Sequence, residues 1–173
     1  MKVVAFGAST SSKSINKALA TYAAGLIKNA EVEVIDLNDF SMPIYSQDIE
    51  AATGIPQLAK DFFAKLQTAD LLVVSFAEHN GGYTAAYKNI FDWTSRVNQK
   101  VYDGKPMLLL STSPGPGAAK SSLGAAVGSS PFFGATVKGT FSLPSFYENF
   151  DLAKHVISNE VFDTQLKTII QSL

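Results

Sequence analysis

Three apolar runs constrain the fold of this chain more than any other feature. They are Val3 to Phe6, Leu71 to Phe76 and Met107 to Leu110, and each is followed by small or polar residues. Continuous apolar runs, unlike alternating ones, are typical of strands that are covered on both faces, as in a parallel sheet. These runs therefore predict the central strands of a buried sheet.

Two further strands and five helices complete the predicted pattern. Glu31 to Leu37 alternates in part, as an edge strand does, and Ala135 to Leu143 is the fifth strand. Segments with apolar residues three and four apart predict the helices: Ser14 to Asn29, Pro56 to Thr68, Thr84 to Val97, Gly117 to Gly128 and Glu160 to Leu173. This alternation predicts a doubly wound parallel sheet with helices on both faces, in one domain that spans residues 1–173. We expect residues 38–55 to form an irregular excursion on the surface.

The composition excludes several classes of function. The chain has no cysteine, which excludes a disulfide framework, a thiolate metal site and a cysteine nucleophile. Its formal net charge is −1 and its basic residues are scattered, so we expect no nucleic-acid partner. No apolar stretch is long enough to cross a membrane, and the N-terminal run is shorter than a signal-peptide core. We expect a soluble, cytoplasmic protein without a membrane partner.

The residues from Gly7 to Asn16 end the first strand and open the first helix. They carry five hydroxyls, on Ser9, Thr10, Ser11, Ser12 and Ser14. A helix start presents unpaired N–H groups and a partial positive charge, to which such hydroxyls add donors. Helix capping would account for one or two of the hydroxyls but not for all of them. The segment therefore predicts an anion site.

The same segment is close to a nucleotide-binding P-loop. Gly7 to Ser14 reads GASTSSKS, which differs from GxxxxGK[ST] only by Ser12 at the second glycine. A P-loop enzyme also needs an apolar strand that ends in Asp to hold magnesium, and none of the predicted strands ends in this way. The P-loop stays open as the weaker alternative.

Two other loops follow the third and fourth strands. Ligands of doubly wound sheets bind outside the carboxyl ends of the strands, so residues 77–83 and 111–119 are candidates. In the first of these loops two adjacent glycines allow close backbone approach, and Asn80 can donate hydrogen bonds. In the second, alternating Pro and Gly predict a tight turn without bulky side chains.

Glu78 and His79 are the titratable residues of the loop after the third strand. They could act as an acid and a base. No nucleophile is close to them in the sequence, which favours a solvated acid and a ring that packs on a ligand or a partner subunit. We therefore assign no catalytic residue and no metal ligand.

Together these loops resemble the NAD(P)H-dependent FMN reductase family, the flavodoxin-like quinone, azo-dye and chromate reductases. The family's first loop reads GSxRxxSxN, and Ala8 to Asn16 has the same spacing. Its second loop reads PEYNGSxP before a helix with KNxxDW, and this chain has AEHNGGYT at residues 77–84 and KNIFDW at residues 88–93. The resemblance extends from residue 1 to about residue 140. It implies a flavodoxin-like three-layer sandwich with strand order 2-1-3-4-5.

The resemblance also implies that the domain binds FMN and uses NAD(P)H as co-substrate. The residues that it assigns to the flavin are Ser9, Thr10, Ser11, Ser14, Ile15, Asn16, Ala77, Glu78, His79, Asn80, Gly81, Ser113, Pro114, Gly115 and Gly117. Ser11 stands where the family has an arginine, which leaves Lys13 as the only cation of the first loop. Ala77 and His79 replace the family's Pro and Tyr.

The implied activity is hydride transfer from NAD(P)H through the flavin to a small acceptor: a quinone, an azo compound, a metal ion or free flavin. The implied mechanism is ping-pong, with the chemistry carried by the cofactor. A flavodoxin-type electron carrier without NAD(P)H turnover is the alternative, although such carriers are commonly far more acidic than this chain. A flavin-free regulatory domain is a third class.

The family resemblance further implies a homodimer or homotetramer. The aromatic residues that we expect to be exposed at a subunit interface are Tyr83, Tyr87, Phe91, Phe132 and Phe133. Ordinary core packing is the open alternative, above all for the phenylalanines.

Overall fold

The structure is a computed structural model that describes all residues from 1 to 173. Its centre is a five-stranded parallel sheet in the order β2-β1-β3-β4-β5, which confirms the predicted topology. The strands are β1 (Lys2–Ala8), β2 (Glu31–Val34), β3 (Leu71–Phe76), β4 (Pro106–Thr112) and β5 (Thr136–Leu143). Apart from the first residues of β1 and β4, the three central strands are fully buried, which explains their unbroken apolar runs.

Seven helices surround the sheet. They are α1 (Ile15–Gly25), α2 (Gln47–Thr53), α3 (Gln57–Gln67), α4 (Ala85–Val97), α5 (Lys120–Ser129), α6 (Phe146–Asn149) and α7 (Glu160–Gln171). A short antiparallel hairpin of β6 (Phe150–Asp151) and β7 (Val156–Ile157) lies between α6 and α7. None of these helices has the length and apolar character needed to cross a membrane.

The sheet separates two hydrophobic cores, one on each face. On one face, α3, α4 and α5 pack around Phe6, Phe62 and Phe76. On the other, α1 and α7 pack around Leu19 and Phe141. Full burial of one such side chain stabilises the fold by about 1.5–3 kcal/mol. The result is the predicted three-layer sandwich.

The prediction of an irregular excursion at residues 38–55 is wrong in part. A 3₁₀ helix covers Leu37–Phe40, and α2 begins just after Ser46, whose hydroxyl accepts a hydrogen bond from the Ile49 N–H. The Phe40 ring is buried edge-on against Phe62, with 5.0 Å between the ring centroids. Trp93 of α4 donates its indole N–H to the Pro43 carbonyl at 2.7 Å. The segment is therefore built into the α3–α4 side of the sheet.

The expectation that Tyr87 is exposed is also wrong. Tyr87 is only 3% exposed, and its hydroxyl shares a 2.8 Å hydrogen bond with the hydroxyl of Tyr102. Burial raises the pKa of Tyr87 well above its usual value, so the phenol stays protonated. Tyr83 and Phe91 are half-buried, and Phe132 is exposed. Tyr87 belongs to the core because the apolar stripe of α4 places it one turn before Phe91 on the sheet side.

Candidate functional site

The three loops after β1, β3 and β4 meet at the carboxyl edge of the sheet. There they surround a pocket of about 270 Å³, which we call the edge pocket. Ten of the fifteen residues predicted from the sequence line it: Ser9, Ser11, Ser14, Ile15, Asn16, Ala77, Glu78, His79, Ser113 and Pro114. The other five are not among its lining residues: Thr10 lines a separate cleft beside Asn38, and neither cavity is lined by Asn80, Gly81, Gly115 or Gly117.

Gly7 allows α1 to start close to β1. A Cβ atom at this position would lie 2.3 Å from the backbone nitrogen of Lys17 and 2.8 Å from the carbonyl carbon of Asn16. Real Cβ atoms do not approach backbone so closely, so only glycine fits here. This close approach brings the first turn of α1 against the end of the sheet.

Asn16 joins the first turn of α1 to strands β3 and β4. Its side-chain N–H₂ donates to the Thr112 carbonyl at 3.1 Å, and its oxygen accepts from the Ser75 hydroxyl at 2.7 Å and the Thr112 N–H at 3.1 Å. The residue is 2% exposed. These three bonds hold the first turn of α1 against the end of the sheet, and Asn16 also lines the edge pocket.

The β1–α1 loop leaves several donors without a protein partner. Ser14 caps α1 by accepting a hydrogen bond from the Lys17 N–H at 3.1 Å. The N–H groups of Ser12, Lys13, Ile15 and Asn16 donate to no other residue. Converging N–H groups at a helix start form an anion site, and the hydroxyls of the loop add to it. One loop thus holds both a helix cap at Ser14 and N–H groups that have no acceptor within the protein.

The two lysines of this region have different partners. Lys17 donates to the Asp36 carboxylate at 2.5 Å, and that contact, followed by the Asn38 N–H, holds the pKa of Asp36 below its usual value. Asn38 in turn donates to the Thr10 carbonyl at 3.1 Å. Lys13 is exposed, lines the edge pocket and forms no ion pair. It is the cation that remains available to an anion.

The loop after β3 makes a tight turn. Asn80 and Gly81 both have positive φ, 54° and 80°, and His79 and Gly82 exchange two backbone hydrogen bonds. Positive φ at both central residues defines a type I′ turn, for which Asn-Gly is the preferred sequence. The turn directs the exposed His79 to the rim of the edge pocket.

Glu78 closes the start of another helix. Its carboxylate accepts a 3.0 Å hydrogen bond from the Ser122 N–H in the first turn of α5. Ala119, the cap residue of α5, has no side chain that could do this. Glu78 is half-buried, so the prediction of a solvated loop acid is wrong. Its position supports neither acid nor base chemistry, because the carboxylate is engaged at a helix terminus.

The loop after β4 is held by the segment that follows β5. The Ser113 carbonyl accepts from the Phe146 N–H, and the Gly115 carbonyl from the Ser145 N–H, both at 3.0 Å. Ala118 and Ala119 have positive φ, 55° and 56°, which costs alanine about 1–2 kcal/mol per residue. The Ser111 hydroxyl donates to the Ala118 carbonyl at 2.6 Å and stabilises this conformation.

Sequence reasoning missed three residues around the edge pocket. Thr112 lines it and donates its hydroxyl to the Leu143 carbonyl at 2.7 Å. Thr84 caps α4 and ties it to β1 by donating to the Ala8 carbonyl at 2.9 Å. Tyr147 lines the edge pocket from beyond β5. A signal for Tyr147 was its place just after the last strand, at the same edge of the sheet.

The fold and the site define a flavodoxin-like α/β domain with a donor-rich loop at its carboxyl edge. The family model described as NADPH-dependent FMN reductase matches residues 1–147, and the chain belongs to this family. An NAD(P)H-dependent FMN reductase of Pseudomonas aeruginosa is 31% identical over 66% of this chain and 61% of its own length. A 2-hydroxy-1,4-benzoquinone reductase of a Burkholderia species is 32% identical over 66% of this chain and 62% of its own length. The matches thus span about 60% of these relatives.

Solved structures share the fold at low sequence identity. FerB, an NAD(P)H:acceptor oxidoreductase from Paracoccus denitrificans, superposes with a TM-score of 0.76 at 21% identity, over 98% of this chain and 93% of its own. An FMN-dependent NADH-azoreductase of Bacillus anthracis, solved with FMN, gives a TM-score of 0.60 at 14% identity, over 99% of this chain and 98% of its own.

Proposed function

We propose that the chain binds FMN at its carboxyl edge and oxidises NAD(P)H, with a quinone as acceptor. The observation that carries the proposal is the set of unpartnered donors at the start of α1. The N–H groups of Lys13, Ile15 and Asn16 have no protein partner, and these residues line the edge pocket together with Ser9, Ser11 and Ser14. The family, and relatives named as FMN and quinone reductases, supply the chemical identity of the ligand.

The donors of the β1–α1 loop fit a phosphate group. This side of the edge pocket has no carboxylate, and the one carboxylate on the opposite side, Glu78, is engaged at Ser122. Ser9, Ser11 and Ser14 would donate from their hydroxyls, and Lys13 would add a positive charge. Asn16 would keep the loop in place through its bonds to Ser75 and Thr112.

When bound, FMN would supply the redox chemistry, taking a hydride from NAD(P)H and passing the electrons on to the acceptor. The loops after β3 and β4 would border the ring through Ala77 and Ser113, whose side chains are small, with His79 at the rim of the pocket. Glu78 is engaged at Ser122 and His79 lies at the rim, so we assign the chemistry to the flavin, with donor and acceptor using the same open face in turn. Because NAD(P)H is regenerated by metabolism inside cells, we place this activity in the cytoplasm.

Subunit pairing would cover the half-buried aromatic residues. Tyr83, Phe91 and Phe133 lie along one surface, with Phe132 exposed beside them. We propose that a second copy packs here, giving a homodimer. Sedimentation at several concentrations tests this, and a monomer at all of them would contradict it.

A binding experiment tests the cofactor directly. FMN fluorescence is titrated with the purified protein and with two variants, Ser11→Asp and the matched control Thr164→Asp on the exposed face of α7. We expect binding by the native chain, at least tenfold weaker binding by Ser11→Asp because a carboxylate would repel the phosphate, and no change in the control. Ser11→Arg should bind more tightly, because it adds a bidentate cation.

Turnover is measured as NADH and NADPH oxidation with added benzoquinone. We expect FMN-dependent oxidation that stops when the quinone is omitted under anaerobic conditions. A protein that takes up no FMN would overturn the proposal. FMN binding without NAD(P)H turnover would instead indicate an electron carrier.

A further inference from the structure

A second concavity of about 800 Å³ adjoins the start of α1, and we call it the α1 groove. It shares Lys13, Ser14, Ile15 and Tyr147 with the edge pocket, so the two cavities meet at the proposed phosphate site. Its volume lies in the range of about 300–1,000 Å³ that is usual for small-molecule sites. A ligand held in the edge pocket can therefore continue into the groove past its phosphate.

The two walls of the α1 groove differ in origin. One is a single face of α1, with Ala18, Thr21 and Tyr22 at helical spacing. The other consists of Tyr147 and of Leu152 and His155 from the β6–β7 hairpin. The Tyr147 and Leu152 side chains are 62% and 48% exposed, so an aromatic ring and an isobutyl group face water beside the phosphate site. These surfaces suit a flat, partly apolar ligand group.

The hairpin wall is held in a fixed conformation. The Asp151 carboxylate accepts from the Lys154 and Ala153 N–H groups, both at 3.0 Å, and these contacts lower the pKa of Asp151. Phe146 stacks on Phe150 with 4.7 Å between centroids, which anchors the residues on both sides of Tyr147. The family match ends at residue 147, so Leu152 and His155 belong to a part of this chain outside the shared family region.

The charges of the α1 groove favour an anionic ligand. Lys13 and Lys17 line it, no acidic side chain does, and the His155 imidazole adds a hydrogen-bonding group. Lys17 is partly neutralised by Asp36, whereas Lys13 is unpaired. A ligand that combines a phosphate with a flat heterocyclic base matches both the cations and the exposed Tyr147 and Leu152.

We propose that the α1 groove binds the adenylate group of a dinucleotide. The inference rests on the proposed function, because it places the flavin phosphate at the start of α1. The adenylate belongs either to FAD bound in place of FMN or to NAD(P)H. In both cases the base lies against Tyr147 and Leu152, and its phosphate lies near Lys13 and His155. Binding makes and breaks no covalent bond.

The test compares Leu152→Glu with Ala153→Glu. Both positions are exposed on the same turn, but only Leu152 lines the groove, so Ala153→Glu is the matched control. The new carboxylate of Leu152→Glu removes apolar surface and repels a phosphate. Dissociation constants for FMN, FAD and 5′-AMP are measured by flavin fluorescence and calorimetry, and thermal unfolding checks that each variant is folded.

Each outcome decides the proposal. If Leu152→Glu weakens FAD binding at least tenfold and leaves FMN binding within twofold, the adenylate is that of FAD. If both flavins bind normally while KM for NAD(P)H rises at least fivefold at constant kcat, the adenylate is that of NAD(P)H. If neither changes and 5′-AMP binding is insensitive to the substitution, the proposal is overturned. If the native chain binds no FMN, the proposed function fails, and the 5′-AMP titration alone decides whether the groove takes an adenylate.

Discussion

Two helices of this domain, α1 and α5, begin after a parallel strand. They differ in what accepts hydrogen bonds from the N–H groups at their start. At the start of α5, Ala119 provides no cap, and the Glu78 carboxylate from a neighbouring loop accepts the Ser122 N–H. At the start of α1, Ser14 provides one cap, and four N–H groups stay without a protein partner. The protein thus supplies the anion for α5 with its own side chain. It leaves N–H groups at α1 open to an anion from outside, and this difference is the reason why we propose the phosphate site at α1 and not at α5.

The largest effect that we expect comes from adding a Cβ atom at Gly7, where β1 and α1 are in close contact. Gly7→Ala would place a Cβ atom 2.3 Å from the Lys17 nitrogen, and backbone cannot yield as a flexible side chain can. We expect a loss of about 3–4 kcal/mol in the free energy of unfolding, measured by urea denaturation, together with loss of FMN binding.

The matched control is Gly25→Ala at the end of α1, where an added Cβ atom meets nothing within 4 Å. This variant should be as stable as the native chain or more stable by up to about 1 kcal/mol, because alanine favours the helix. Equal losses from both substitutions would show that the close approach at Gly7 is not what positions α1.

The next effect tests the hydrogen bonds by which Asn16 holds the start of α1 to the sheet. Asn16→Ala removes one amide and leaves the Ser75 hydroxyl and the Thr112 N–H buried without their acceptor. Each unsatisfied buried group costs about 1–3 kcal/mol, and we expect a total loss of about 2–3 kcal/mol. Asn16→Asp should keep both acceptor contacts, but it places a carboxylate oxygen against the Thr112 carbonyl in a buried position, so its loss should be at least as large in the same unfolding experiment.

The same two helix starts show what the sequence could and could not predict. The strands and the three loops were predictable, because continuous apolar runs identify buried strands and ligands bind where such strands end. The role of Asn16 was not, because its acceptor on Thr112 lies 96 residues away. The contact between Glu78 and Ser122 spans 44 residues and was missed for the same reason.

Two other features were not predicted from the sequence, one with a local sequence signal and one without. The Asn80-Gly81 turn was identifiable in principle, since Asn-Gly is the strongest short signal for a type I′ turn. The β6–β7 hairpin was not, because two-residue strands are too short to show any alternation. Its position depends on the packing of Phe146 and Phe150, which is a tertiary effect.

Removing the Glu78 carboxylate from the start of α5 should lower the free energy of unfolding and affect FMN binding less than removing the Ser14 cap of α1. Glu78→Ala deletes the carboxylate that caps α5, and we expect a loss of about 1–2 kcal/mol in unfolding free energy. Ser14→Ala deletes the cap of α1 and costs about 1 kcal/mol, but it also removes a donor to the proposed phosphate. We therefore expect Ser14→Ala to raise the FMN dissociation constant more than Glu78→Ala does. The reverse order would mean that the Ser14 hydroxyl does not donate to the ligand's anion.

The smallest effect concerns the ion pair behind the open helix start and depends on pH. Lys17 and the Asn38 N–H lower the pKa of Asp36 in the folded chain, so their contribution is present above the unfolded pKa of about 3.9 and is lost as pH falls through the folded pKa. The Asp36 side chain is 33% exposed, which limits this contribution to less than about 1 kcal/mol. Asp36→Asn should therefore be slightly less stable than the native chain at neutral pH and should match it in strong acid. Unfolding curves across this pH range test the prediction.

The substitution Asp36→Asn also frees Lys17 beside the unpaired Lys13, so FMN should bind the variant somewhat more tightly at low salt. Unchanged or weaker binding would mean that Lys17 does not reach the anion held at the start of α1.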